Sequence, residues 1–186
     1  MSSKGKLVVL AGPSGVGKGT IVNHIVNNFP GFYLSVSATT RTARPGEVEG
    51  KNYYFYTDSD FQELVQSGEM LEWAKVHGNY SYGTPKEPVL KARSEGFNVL
   101  LEIDVQGAFQ VRANDSSAIL VFVKPPNFAE LKARLDKRGT ETEAEKQVRL
   151  DTAEQELLQA DSFDFQVIND SVARCAQEVV ELIKST

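Results

Sequence analysis

The sequence predicts an α/β fold built on a parallel sheet, on three observations. Short, almost wholly apolar runs at Lys6–Ala11, Phe97–Asp104 and Ala118–Val123 read as strands buried on both faces, the habit of parallel sheets. Each is followed by a helical pattern, the order expected of βα units. The first run passes directly into Gly12-Pro13-Ser14-Gly15-Val16-Gly17-Lys18-Gly19-Thr20, a glycine-rich loop that opens a helix.

Strand, glycine loop, lysine and helix together form the phosphate-cradling P-loop. Its glycines let backbone N–H groups turn inward around an anion, and the helix N-terminus adds unpaired N–H groups and a positive dipole end. Lys18 brings a full charge to the β- and γ-phosphates of a nucleotide. The residue after this lysine is ordinarily Ser or Thr, whose hydroxyl binds Mg²⁺, and here it is Gly19. Thr20 is the expected substitute, directly or through water.

A chain of 186 residues is long enough for one well-buried core with lobes and too short for two independent enzymatic domains. The net charge of −5 argues against a general nucleic-acid binder, although local basic sites remain open. The single cysteine, Cys175, excludes an internal disulfide, fits a reducing compartment and lies on the apolar face of an expected helix, where it packs. No apolar run approaches the ~20 residues that span a membrane, and Met1–Lys6 has no secretory pattern, so a cytoplasmic protein without membrane partners is expected.

After the loop, Ile21, Val22, Ile25 and Val26 mark a helix that Phe29-Pro30-Gly31 stops. Tyr33–Ser37 alternates like a strand. The turn-rich Ala38–Glu47 carries Arg41 and Arg44, which are either a solvated pair or a second anion site at a strand's end. Gly50–Tyr56 is an aromatic strand signal; Asp58 or Ser59 caps a helix that buries Phe61, Leu64 and Val65 and ends at Gly68. In Met70–Val76, Glu72 stands among Leu71, Trp73 and Ala74 as an exposed alternate residue or a specificity group.

His77–Thr84 reads as a loop, and a helix runs from near Pro85 to Gly96. The strand Phe97–Asp104 closes on Asp104, where a P-loop protein places the acid that orients the metal's waters, and Gln106-Gly107 begins a helix. Pro125-Pro126 halts the next strand; Asn127 caps a helix with Phe128, Leu131 and Leu135 inward, basic through Lys132, Arg134, Lys137 and Arg138. Thr142–Glu145 is a capping box opening a helix that carries Arg149 and runs to about Ala160. Phe165–Ile168 is the last strand, and Asn169-Asp170-Ser171 caps a terminal helix that buries Val172, Cys175, Val179 and Ile183. The expected organisation is a core of residues 1–34, 89–126 and 161–186, a strand-rich insertion at 35–88 and a basic helical hairpin at 127–160 placed as a lid.

Several segments, in this order along essentially the whole chain, resemble guanylate kinase. They are Gly12–Lys18, Ser35–Glu47, Gly50–Tyr53, Glu72-Trp73-Ala74, Tyr82-Gly83-Thr84, Glu102–Gly107, Arg138–Glu141 and Ile168-Asn169-Asp170. The resemblance implies a P-loop kinase fold with a parallel-sheet core, a strand-rich GMP-binding insertion and a helical lid, catalysing ATP + GMP ⇌ ADP + GDP with Mg²⁺. It implies that Ser37, Glu72, Thr84 and Asp104 read guanine, and that Arg41, Arg44, Tyr53 and Tyr82 hold the GMP phosphate. It assigns Gly12, Pro13, Ser14, Gly15, Val16, Gly17, Lys18, Gly19 and Thr20 to the ATP phosphates, Arg138 and Arg149 to the transferring group from the lid, and Asn169 to the adenine side.

Two departures stand out: Gly19, and Gly78–Thr84, which is one residue longer than the family's Gly-Asn-Tyr-Tyr-Gly-Thr, with Ser81 or its predecessor as the extra residue. Alternatives are a non-catalytic guanylate-kinase-like binding module, which typically loses the P-loop and lid residues present here, and a kinase of the same fold with another phosphorylated acceptor. The Asn-Lys-x-Asp motif of a regulatory GTPase does not occur.

Overall fold

The computed structural model describes residues 4–76, 80–136 and 143–186. Five parallel strands form the main sheet: β1 (Leu7–Ala11), β2 (Phe32–Leu34), β7 (Asn98–Glu102), β8 (Ile119–Lys124) and β9 (Phe165–Ile168), in the order β2-β7-β1-β8-β9. β1 lies centrally with all five residues buried, as its unbroken apolar run requires. Side chains alternate across the sheet. Val8 and Leu10 pack on one face with Ile21, Val22 and Ile25 of α1 (Lys18–Asn28) and Cys175, Val179 and Ile183 of α7 (Val172–Ser185). Leu7 and Val9 pack on the other with Val89 of α3 (Lys86–Ser94) and Val105, Ala108 and Val111 of α4 (Val105–Asn114). Each such apolar side chain contributes ~1.5–3 kcal/mol on burial, so this three-layer arrangement is the rigid platform for everything above it.

A second sheet, order β4-β3-β6-β5, comprises β3 (Ala38–Thr39), β4 (Tyr54–Phe55), β5 (Met70–Val76) and β6 (Tyr80–Pro85). It has its own small core of Ala38, Phe61 and Met70, closed by α2 (Asp58–Gln66). α5 (Phe128–Asp136) and α6 (Glu143–Leu157) touch each other and send Leu131, Leu135, Leu150 and Ala153 into the main core.

Several sequence expectations shift by local chemistry. The alternation at Tyr33–Ser37 and the aromatic run at Gly50–Tyr56 yield only the short β2 and β4; most of β3 and β4 is defined by partners distant in sequence. Residues 80–84, expected as loop, and Pro85, expected to open a helix, form β6, because β5 supplies a regular antiparallel partner. Thr57, not Asp58 or Ser59, caps α2, its hydroxyl accepting the Asp60 N–H. Ser171 is the N-cap of α7 without a side-chain cap bond. Asn127 caps α5 as expected, accepting the Glu130 N–H at 2.8 Å. Arg138, the Arg138–Glu141 segment and the first residue of the expected capping box, Thr142, lie outside the described residues.

Candidate active site

The loop between β1 and α1 is shaped by three glycines in the left-handed region, Gly12 (φ 145°), Gly15 (82°) and Gly17 (95°). At Gly12 any side chain is also barred by contact, since a Cβ would lie 2.3 Å from the Val123 carbonyl oxygen. α1 begins with Gly17 as N-cap, without a side-chain cap and with no acidic residue in its own first turn. Lys18 Nζ donates to the Gly12 carbonyl at 2.5 Å, which holds the ammonium inside the loop.

The residue beside this lysine faces a carboxylate. A Cβ at Gly19 would stand 3.1 and 3.2 Å from the two carboxylate oxygens of Glu102, the last residue of β7. The carboxylate is open to solvent yet lies on the floor of the cleft, where desolvation pushes its pKa up while Lys18 and the Gly19 N–H favour the charged form. Thr20 lines a cavity of about 240 Å³ with Gly15 and Gly17 of the loop and with Arg134, Asn169, Asp170 and Val172. Asp104, expected beside the metal, caps α4 through its Oδ1, which accepts the Gly107 N–H at 2.7 Å. Glu102 is the carboxylate against the loop, and the signal for it was a charged residue ending an otherwise apolar strand. We expect Thr20→Ala to leave the Mg²⁺ titration of turnover unchanged; a shifted Mg²⁺ midpoint would assign the metal role to Thr20.

Asn169 is almost wholly buried, and its Nδ2 donates to the Val16 carbonyl at 2.8 Å. Arg134 Nη1 donates to the same carbonyl at 3.1 Å, and its Nη2 donates both to the Asn169 carbonyl at 3.1 Å and to a Glu130 carboxylate oxygen. Together they brace the loop from the β9 side; Arg134 carried only a charge signal in the sequence.

Across the cleft, Ser37, Tyr53, Glu72, Tyr82, Glu102 and Asp104 are among the residues around a cavity of about 210 Å³. The β5–β6 ladder pairs Glu72 with Thr84, Ala74 with Tyr82 and Val76 with Tyr80, so these alternate residues share one face. Its register is regular from Glu72 to Val76, so the residue that this chain has beyond the family's pattern makes no bulge in β6. Tyr82, rather than the exposed Tyr80, is the tyrosine packed on Tyr53, their ring centroids 6.0 Å apart. The Thr84 hydroxyl donates to Glu72 Oε1 at 2.6 Å, both groups buried. Burial lifts the Glu72 pKa to about 7, with the Thr84 bond opposing and the Asp104 charge assisting the rise. Glu72 is thus the inward specificity candidate, not an exposed alternate residue.

Arg41 is buried rather than a solvated surface group. Glu47 grips it with both oxygens, at 2.9 and 3.0 Å, and also accepts the Arg44 N–H at 2.8 Å. The Arg41 guanidinium stacks 5.4 Å from the Tyr53 ring centroid, and its bonds to Glu47 and Tyr82 hold its pKa above the ordinary arginine value. In the sequence Glu47 only ends the Ser35–Glu47 segment, with no role of its own assigned. Arg149 lies on α6; Arg138 is outside the described residues.

Comparison with known proteins is consistent across sequence and structure. The family model described as guanylate kinase matches residues 4–186. A guanylate kinase of Leifsonia xyli subsp. xyli (strain CTCB07) is 54% identical over 177 residues, covering 95% of this chain and 70% of that protein. One from Thermobifida fusca (strain YX) is 51% identical over 178 residues, covering 96% and 90%. The crystal structure of guanylate kinase from Anaplasma phagocytophilum superposes with a TM-score of 0.75 at 31% identity, covering 99% of this chain and 87% of that one.

Proposed function

The chain belongs to the guanylate kinase family and is a GMP-phosphorylating enzyme, and from that premise we propose how its own residues carry the reaction. ATP donates: an oxygen of the GMP phosphate attacks the γ-phosphorus, the bond from that phosphorus to the β-bridging oxygen breaks, and GDP and ADP result. GMP's phosphate is already an anionic nucleophile, so no general base is needed. The work is positioning and charge stabilisation.

The observation that carries this reading is the buried Glu72 carboxylate, held by Thr84 in a cavity across the cleft from the glycine loop. Guanine offers N1–H and a 2-amino group side by side, and a carboxylate has only acceptors. Ser37, Thr84 and Asp104 complete the base site, and Arg41, Arg44, Tyr53 and Tyr82 receive the phosphate. Glu47 keeps Arg41 oriented toward it.

On the donor side Gly12–Thr20 hold the ATP phosphates, Lys18 meets the transferred group, and Asn169 with Arg134 shapes the adenine side. Residues 1–34, 89–126 and 161–186 act as core, 35–88 as the GMP-binding region, and 127–160 as a lid that brings Arg138 and Arg149 onto the phosphoryl group and excludes water. Among the described residues no cluster of three or more His, Cys, Asp or Glu could hold a metal ion. Glu102, close to Gly19 and Lys18, fits a role of accepting hydrogen bonds from the waters of a Mg²⁺ that enters with ATP. Mg²⁺ would offset phosphate charge. The shortage of a hydroxyl at Gly19 is consistent with phosphates and water supplying its direct ligands.

A pH experiment tests the base-reading role. Glu72 is ionised above about 7 and protonated below, and a protonated carboxyl cannot accept both guanine bonds. We expect kcat/KM for GMP to fall by one proton's slope as pH drops through about 7, and Glu72→Gln to lose that step. Ionisation of the GMP phosphate, near 6, persists in both proteins and serves as the internal control. Identical profiles for the two proteins would remove Glu72 from base recognition.

A further inference from the structure

β5 is an open edge of the second sheet, so the outward row of its backbone groups has no strand to pair with. α4 meets that row. Gln110 Oε1 accepts the Trp73 N–H at 3.1 Å and Gln110 Nε2 donates to the Trp73 carbonyl at 3.1 Å, the two bonds a partner residue in an antiparallel strand would make. One turn later Asn114 Nδ2 donates to the Leu71 carbonyl at 2.8 Å. Earlier on the same helix, a Cβ at Gly107 would stand 3.2 Å from Glu72 Oε2, so glycine lets the helix lie close to the carboxylate without displacing it.

Residues 107, 110 and 114 follow a spacing of three and four, one stripe along α4. The two backbone positions they grip, Leu71 and Trp73, flank Glu72. The β5–β6 ladder is irregular between Met70 and Glu72, so β6 alone fixes this stretch less firmly. α4 itself is packed into the main core through Val105, Ala108 and Val111.

We propose that Gln110 and Asn114 are positioning residues for base selection: α4 stands in for a missing strand and fixes the guanine-reading carboxylate to the core that carries the glycine loop. The proposal rests on the reading of Glu72 given above. It makes Glu72 part of the core mechanically, although it belongs to the second sheet by topology. A base held against the core sets the distance between acceptor phosphate and donor before the phosphate-gripping segment and lid engage.

The test compares GMP with inosine monophosphate, which keeps N1–H and lacks the 2-amino group. Gln110→Met retains the side chain's length and removes both bonds to Trp73. It should lower kcat/KM for GMP by about tenfold, mainly through KM, shrink the GMP preference over inosine monophosphate and leave KM for ATP unchanged. Asn114→Ala, on an exposed helix end, should do the same to a smaller extent and serves if Gln110→Met does not fold. A lowered melting temperature with the GMP preference intact in both variants overturns the proposal and leaves a purely structural contact. Wild-type enzyme and Glu72→Ala run alongside separate the two ideas. No preference in the wild type defeats the Glu72 reading itself, whereas a preference lost in Glu72→Ala and kept in Gln110→Met defeats only the positioning role.

Discussion

Lys18→Met should lower kcat by about 10²–10³-fold while leaving the fold intact, as removal of one preorganised charge contact to a transition state does. The side chain packs into no core cluster and its ammonium donates to the Gly12 and Pro13 carbonyls of the loop, so circular dichroism and melting temperature should hardly move. Its loss would also leave Glu102 without the cation that favours its charged form, pushing that carboxyl's pKa further up. A folded Lys18→Met enzyme that loses less than about tenfold in kcat would show that Lys18 is not at the transferred group.

The second large effect belongs to Glu72. Charge-assisted hydrogen bonds contribute ~1.5–3 kcal/mol each, so losing both bonds to guanine should cost about 10²–10⁴-fold in kcat/KM for GMP. Inosine monophosphate isolates one of the two. In the wild type it should be used at least about tenfold less efficiently than GMP, because a site built for a hydrogen bond rejects the analogue that lacks it. In Glu72→Ala the two nucleotides should become nearly equivalent. Equal use by the wild-type enzyme would exclude Glu72 as reader of the 2-amino group.

The parts of the fold legible in the sequence were those governed by local rules. The P-loop announced itself because left-handed backbone needs glycine, and the buried parallel strands because nothing polar interrupts them. What escaped was fixed by distant partners. β3 and β4 are two-residue strands whose pairing depends on each other and on β6, so no local periodicity marks them.

The site divided the same way. Glu72, Arg41 and Lys18 were conspicuous as charges in unusual company. Asp104 was conspicuous too, and its bond from the Gly107 N–H adds a helix-capping role that looks the same in one dimension as a strand-terminal acid. Glu102, two residues earlier, gained its place from a contact with Gly19 that no spacing rule encodes. Gln110 gave no signal, since its function lies in copying a strand's hydrogen bonds.

The measurement closest to the central claim uses ATP labelled in its γ-phosphate, mixed with the enzyme and one acceptor at a time: GMP, AMP, CMP, UMP, or none. Label should move to GDP in the GMP reaction, with little transfer to the other nucleotides and slow release as inorganic phosphate. Equal or faster labelling of another acceptor, or release of inorganic phosphate at the rate of transfer when GMP is present, would contradict the account.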